Sequence, residues 1–346
     1  MQFIKPGINI DFIGKRKIGF YLSVIMILIT IASLVIQKGP RYGIDFAGGT
    51  VVQVKFSSPA KIKDIKSALK RIDIGISSVQ SFGEEKDYEY LIRTEEAVTG
   101  EGFSQKVEKA LKNATGNGAE IRRIEMVGPK VGKDLREKAL KAMFYALLFI
   151  TVYISGRFES EWVKSGIMAT GLIFCVYSLS GFDVSIPFLI TAALVITLTL
   201  FWFLKLKYAM GAIVALIHDV TITVGIFSIL DKEFSLAIVA ALLTIIGYSL
   251  NDTIIVFDRI RENLKKYHKN PLEMTLNKSI NETLNRTLLT SLTTLIVVVT
   301  LFLLGGGIIH DFAFAMIIGV AVGTYSSIYV ASPILLTWQA YERRKQ

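Results

Sequence analysis

Three ionisable side chains stand where the chain is otherwise apolar. His218 and Asp219 lie inside VALIHDVTITVG (214–225), and Asp252 lies inside SLNDTIIVF (249–257). A carboxylate at the centre of a membrane helix costs roughly 2.5–3.5 kcal/mol on insertion scales. Such a residue is expected to do what hydrocarbon cannot: bind a proton or an ion, or meet a buried partner. Arg286 stands just before the next apolar run, LLTSLTTLIVVVTLFLL (288–304). Consecutive spans run antiparallel, so Asp252 and Arg286 fall within about two turns of the same membrane face, a gap that a long arginine can cover. A carboxyl beside a guanidinium is held ionised, and without it the low dielectric favours the acid form. A site that alternates between those states takes up and releases a proton.

Helical spacing adds further polar groups. Thr244, Tyr248 and Asn251 share a face with Asp252, and Thr283, Thr287, Ser291 and Thr294 form a stripe on the following span. Such stripes face protein or water rather than lipid. Two readings of Asn251 and Asp252 stay open: proton coupling, or satisfaction of backbone groups in a turn loosened after Gly247. For His218–Asp219, a hydrogen bond that fixes helix packing and a proton relay are both consistent with the sequence. Ala315, Gly319, Gly323, Ser327 and Ala331 recur every four residues, which predicts close helix packing rather than chemistry.

These residues need a membrane scaffold, and the composition supplies one. Of the 346 residues, 52% are hydrophobic, above the share usual in soluble domains. About eight apolar runs are long enough to span: 18–36, 138–155, 165–181, 184–204, 209–230, 235–257, 287–306 and 312–335. The fold expected is a polytopic α-helical membrane protein. The formal net charge is +10, but the basic residues cluster in alternate loops, as the positive-inside rule requires, so no nucleic-acid partner is expected. Both termini then face the cytoplasm. The first run follows Lys15-Arg16-Lys17 and is too long for a signal-peptide core, so it reads as an uncleaved span. The single cysteine, Cys175, excludes an intrachain disulfide.

Residues 1–39 make the N-terminus and first span, and 136–346 the main bundle. Between them, 40–135 has soluble character. TVVQVKF (50–56) alternates as a half-buried strand, and PAKIKDIKSALKRI (59–72) has helical spacing. The order strand–helix–strand–strand–helix–strand is that of an α+β ferredoxin-like βαββαβ domain, placed outside the cytoplasm. Residues 259–286 read as a cytoplasmic connector of two amphipathic helices divided by Pro271, lying on anionic lipid. GPKVGKD (128–134) misses the phosphate-loop spacing by one residue and lacks its Ser/Thr. No zinc-protease, paired-cysteine or nucleophile-elbow motif is present. The expectation is no metal, no cofactor and no enzymatic activity.

Three stretches carry a resemblance: GIDFAGG (43–49), GPKVGKDLR (128–136), and AALLTIIGYSLNDTIIVFDRIREN (240–263) followed by SINETLNRTLLTSLTTL (279–295). Together they resemble the SecF branch of the SecD/SecF family of protein-export membrane proteins, which is similar to resistance-nodulation-division transporters. The resemblance implies a bacterial inner-membrane accessory that pairs with SecD at the SecYEG translocon. It would use proton flow, or Na⁺ in its place, to pull on a translocating unfolded preprotein. It matches Asp252 to the membrane aspartate, Arg286 to the arginine of NRT, and His218–Asp219 to the family's HD pair. Asn251, Thr287 and Ser291 would support them. Gly43, Asp45, Gly48 and Gly49 would form a structural turn into the soluble domain; Ala47 stands where the family more often has threonine. The family has six spans, so residues 159–206 would add a hairpin at the bundle edge. The alternatives are a self-sufficient proton-driven exporter of a small molecule and a passive scaffold of the translocon.

Overall fold

The computed structural model of the chain describes residues 8–72, 74–82, 87–94, 102–159, 162–180 and 186–345. Helix α1 (Arg16–Ile36) leads to a short α2 (Ile44–Ala47) and then to a soluble layer. That layer runs β1 (Gly49–Phe56), α3 (Ile62–Lys70), β2 (Ile76–Phe82), β3 (Glu89–Thr94), α4 (Phe103–Thr115) and β4 (Ala119–Val127), in the predicted order. The four strands form one antiparallel sheet in the order β2-β3-β1-β4. The alternation read in TVVQVKF has its physical counterpart here. Val52, Val54 and Phe56 are buried and share a core with Ile65 and Leu69 of α3 and Val107 and Leu111 of α4. Both helices therefore cover the same face of the sheet.

The remaining helices are α5 (Pro129–Glu159), α6 (Trp162–Ser180), α7 (Ile186–Leu204), α8 (Lys207–Ile229), α9 (Leu236–Lys266), α10 (Leu272–Leu304), α11 (Gly307–Ser326) and α12 (Ser332–Lys345). A π-helical turn, Ser327–Ala331, joins the last two. Among the described residues, six helical segments are long and apolar enough to cross a membrane: α1, α5, α8, α9, α10 and the continuous α11–α12 unit. The expected count of eight is not reached by this measure. The two helices predicted between residues 159 and 206 do form, but each has 19 residues, at the short end of what a core about 30 Å thick needs. In α7 the apolar stretch is Ile190–Leu204. The turn expected near Gly181–Asp183 lies outside the described residues.

Helices α8, α9 and α11 fill the centre of the bundle. Small residues set their spacing, as the four-residue period predicts. A Cβ on Gly319 would meet the Ile245 side chain at 2.3 Å, and one on Gly323 would meet Ser249 at 3.0 Å. Helices α1 and α10 lie outside, with Ile18, Phe20, Ile25, Ile296, Val297 and Leu303 exposed as a lipid-facing surface requires. The α6–α7 pair packs on α5, and α7 also on α8, at the edge expected for it.

The connector differs from its expected form. Its two helices are continuations of α9 and α10 beyond their apolar parts, with Pro271 at the N-cap of α10. Helix α9 also runs unbroken from 236 to 266 through Gly247, Asn251 and Asp252, so no loosened turn needs their side chains.

Candidate functional site

Asp252 is buried, at 1% exposure. Helix α9 presents it to α10, where Ser291 Oγ donates to its Oδ2 at 3.5 Å. Ser291 also meets Thr324 of α11 at 2.7 Å, and because Thr324 donates to the Val320 carbonyl at 2.8 Å, Ser291 shares its one hydrogen between Thr324 and Asp252. Three polar atoms gathered on these helices are buried with no hydrogen-bond partner: Asp252 Oδ1, Tyr248 OH and Thr287 Oγ1. Buried polar atoms are nearly always paired, and an orphan carboxylate oxygen in a membrane helix is suited to taking up a proton. The Arg286 side chain is exposed and forms no ion pair with Asp252 among the described residues. Of the predicted supporting residues, Thr283, Thr287 and Ser291 form a buried stripe on α10. Asn251 and Thr244 are exposed on α9, with the Thr244 hydroxyl donating back to the Ala240 carbonyl at 2.8 Å.

His218 and Asp219 build a separate cluster on α8, at 3% and 0% exposure. His218 Nδ1 lies 2.9 Å from Asp219 Oδ1, and Nε2 lies 3.0 Å from Ser23 Oγ of α1. Ser249 of α9 and Ser326 of α11 both donate to Asp219 Oδ2, at 2.5 and 2.8 Å. Ser23 also meets Tyr325 OH at 3.0 Å, and Tyr325 donates to the Gly19 carbonyl at 2.6 Å. Sequence reasoning found the HD pair but missed Ser23, Ser249, Tyr325 and Ser326. The one signal for Ser249 was its position a helical turn before Asp252. The two clusters converge on one stretch of α11, through Thr324 and Ser326, immediately before the π turn.

At the other end of α9 lies the motif of residues 43–49. Gly43 N–H donates to the Phe234 carbonyl at 2.9 Å, and Phe234 N–H to the Arg41 carbonyl at 2.7 Å. Asp45 is more than a turn residue. From α2 its Oδ2 accepts the N–H of Leu236 at 2.9 Å, the first residue of α9. Gly48 has φ +80°, and a Cβ there would lie 2.8 Å from Pro129 Cα. Gly132, from the stretch that resembled a phosphate loop, presses equally close on the Gly48 backbone. Nearby, Arg93 of β3 pairs with Glu233 of the α8–α9 loop. Burial, more than the neighbouring Arg41, pulls Arg93 down to about 10, and Asp45 opposes that shift.

On the opposite side, Asn277 and Asn281 of α10 grip the N-terminal segment. Ile10 N–H donates to Asn281 Oδ1 at 2.8 Å and Phe12 N–H to Asn277 Oδ1 at 2.9 Å, while both side-chain amides donate to the Ile10 carbonyl. Among the described residues no group of three or more His, Cys, Asp or Glu could hold a metal ion.

The family model described as Protein export membrane protein SecD/SecF, C-terminal, matches residues 106–189 and 182–341, and the SecD/SecF GG motif model matches residues 33–60. The Protein translocase subunit SecF of Magnetococcus marinus is 43% identical over 350 residues, covering 100% of this chain and 97% of that one. That of Vibrio alginolyticus is 41% identical over 335 residues, covering 97% of this chain and 91% of that one. Among solved structures, SecDF from Thermus thermophilus, a translocon-associated membrane protein, aligns with a TM-score of 0.71 at 29% identity. The alignment covers 98% of this chain but 40% of the SecDF chain.

Proposed function

The chain belongs to the SecF family of protein translocase subunits, and from that premise we propose that it couples proton flow to protein export through Asp252. The observation that carries this reading is a buried membrane carboxylate with one orphan oxygen and one weak donor in Ser291. A proton crossing 100 mV releases about 2.3 kcal/mol. To capture it, Asp252 must change its contacts when it changes protonation, since a ligand shifts a conformational equilibrium only through differential interaction. Its hydrogen-bonded chain through Ser291 to Thr324 offers that contact.

The partner is SecD. Supporting this, the chain matches two-fifths of SecDF, and Asn251 stands exposed on the apolar part of α9, a polar side chain that lipid alone accommodates poorly. SecYEG and the translocating preprotein complete the assembly. The sheet order β2-β3-β1-β4 with both helices on one face supports a ferredoxin-like domain on the periplasmic side. Basic residues in alternate loops support cytoplasmic termini in a bacterial inner membrane. The α6–α7 pair is an added membrane hairpin, making eight spans.

The test is export rate in proteoliposomes holding SecYEG, SecD and this chain, with and without an imposed proton gradient. Asp252→Asn is nearly isosteric and removes only the titration. It should assemble and keep basal ATP-driven translocation but lose gradient-dependent stimulation. Arg286→Lys should be intermediate, because the charge survives and the planar fork does not. Full stimulation in Asp252→Asn would make Asp252 structural and leave the passive-scaffold reading.

A further inference from the structure

We infer that His218 and Asp219 form a second proton-holding site in the membrane, separate from Asp252, whose extra proton completes a chain of hydrogen bonds running from α1 through α8 and α11. The hydrogens along one chain of bonds require it, whatever the role of Asp252. Tyr325 has a single hydroxyl hydrogen and donates it to the Gly19 carbonyl, which can only accept. The Ser23–Tyr325 contact therefore uses the hydrogen of Ser23. Ser23 then has none left for His218, so the Nε2 contact requires an N–H on the imidazole. The Nδ1–Oδ1 contact needs another hydrogen, on either atom. His218 and Asp219 thus share two hydrogens, one more than a neutral imidazole and a carboxylate carry, and the pair is neutral overall.

Ser249 completes the site by donating to Asp219 Oδ2, Ser326 shares its one hydrogen between Asp219 Oδ2 at 2.8 Å and the Gly323 carbonyl at 3.1 Å, and Thr223 donates to the Asp219 carbonyl at 2.8 Å. The titratable groups facing the pair are Tyr325, whose ring stacks on His218 at 6.0 Å, and, behind it, Tyr329. Asp252 lies one turn along α9 from Ser249. Among the described residues no Lys, Arg or Glu pairs with His218 or Asp219. Loss of the extra proton leaves two arrangements. With the hydrogen on Nε2, two lone pairs face each other between Nδ1 and Oδ1. With it on Nδ1, Ser23 must turn to donate to Nε2 and Tyr325 must abandon either Ser23 or Gly19. Each arrangement forfeits one bond of the chain and leaves a net negative charge in the membrane, where it is costly. Release of this proton therefore either sets Nδ1 and Oδ1 against each other within α8 or, with the hydrogen on Nδ1, costs one of the bonds that hold α1 to α8 and α11.

The test is solid-state NMR of the full-length chain, labelled with ¹⁵N-histidine and reconstituted in lipid bilayers. The chain has three histidines, so His268→Gln and His310→Gln together isolate the His218 signals. Near neutral pH the Nε2 resonance should sit at the protonated position. In a further Tyr325→Phe variant Ser23 is free to donate, and Nε2 should shift to the unprotonated position. Ser23→Ala, which removes the acceptor, should shift it the same way and serves if Tyr325→Phe does not fold. A bare Nε2 in the parent, or a protonated Nε2 unmoved by either substitution, overturns the inference.

Discussion

At the scale of single residues, the chain keeps its charges either in water or under close chemical control. Arg93 illustrates the second case. Its side chain is 18% exposed and its pairing with Glu233 joins the soluble sheet to the α8–α9 loop. A base with a folded pKa near 10, below the ordinary arginine value, holds its proton less tightly folded than unfolded. Stability then rises with pH only from about 10 upward and is flat below that. Glu233→Gln removes the opposing charge and leaves the guanidinium half-desolvated. The loss should be about 1–3 kcal/mol, seen as a lowered unfolding temperature whose decrement stays constant between about pH 7 and 9. A decrement that vanishes within that range would mean that the pair does not carry the contact.

Among the elements, α9 does most to connect distant parts. Asp45 bonds its first residue and Asp252 sits sixteen residues further on, about 24 Å along the axis at 1.5 Å per residue. A continuous helix of this length transmits displacement between the membrane carboxylate and the motif under the soluble domain. Asp45→Ala should cost about 1 kcal/mol, the usual effect of losing a helix cap, and should raise amide exchange at Leu236 and the residues after it. Asp45→Asn keeps an acceptor oxygen and should restore protection. If alanine leaves exchange at Leu236 unchanged, Asp45 does not hold the helix start. The glycines of α11 serve a related purpose, because without the close approach at Gly319 and Gly323 neither Ser249 nor Ser326 would reach Asp219 together.

For the whole molecule the decisive quantity is topology. Among the described residues six segments meet the length and apolarity of a span, and the α6–α7 pair decides whether the chain crosses six or eight times. An added hairpin is even-numbered and leaves the orientation of α8 to α12 unchanged. In a Cys175→Ala background, a cysteine replacing Ser180 at the end of α6 should react with membrane-impermeant thiol reagents from the periplasmic side. Labelling only from the cytoplasmic side, or from neither, would exclude the hairpin. Protease added to intact spheroplasts should cleave within residues 40–135 and spare 259–286. The reverse pattern would invert the orientation proposed for the chain.

The sequence alone determined the membrane class, the βαββαβ order and the candidate residues Asp252, Arg286, His218 and Asp219. Each is written in a local signal: an apolar run, a period of two or of four, or a charge set among aliphatic side chains. The length of α6 and α7 was legible as well, though the sequence could not say whether 19 residues suffice to cross. The tertiary structure decided the partners. Asp45 meets Leu236 across 191 residues, Ser326 meets Asp219 across 107, and Ser23 meets His218 across 195. Nothing in the spacing of serines along an apolar helix says which one will face a carboxylate. That depends on helix crossings set by packing, here by glycines that allow α11 to close on α9, and crossings bring together residues with no local relation. The same geometry left Asp252 Oδ1 without a partner, because α10 offers it one serine at the limit of hydrogen-bond reach and keeps Arg286 at a distance.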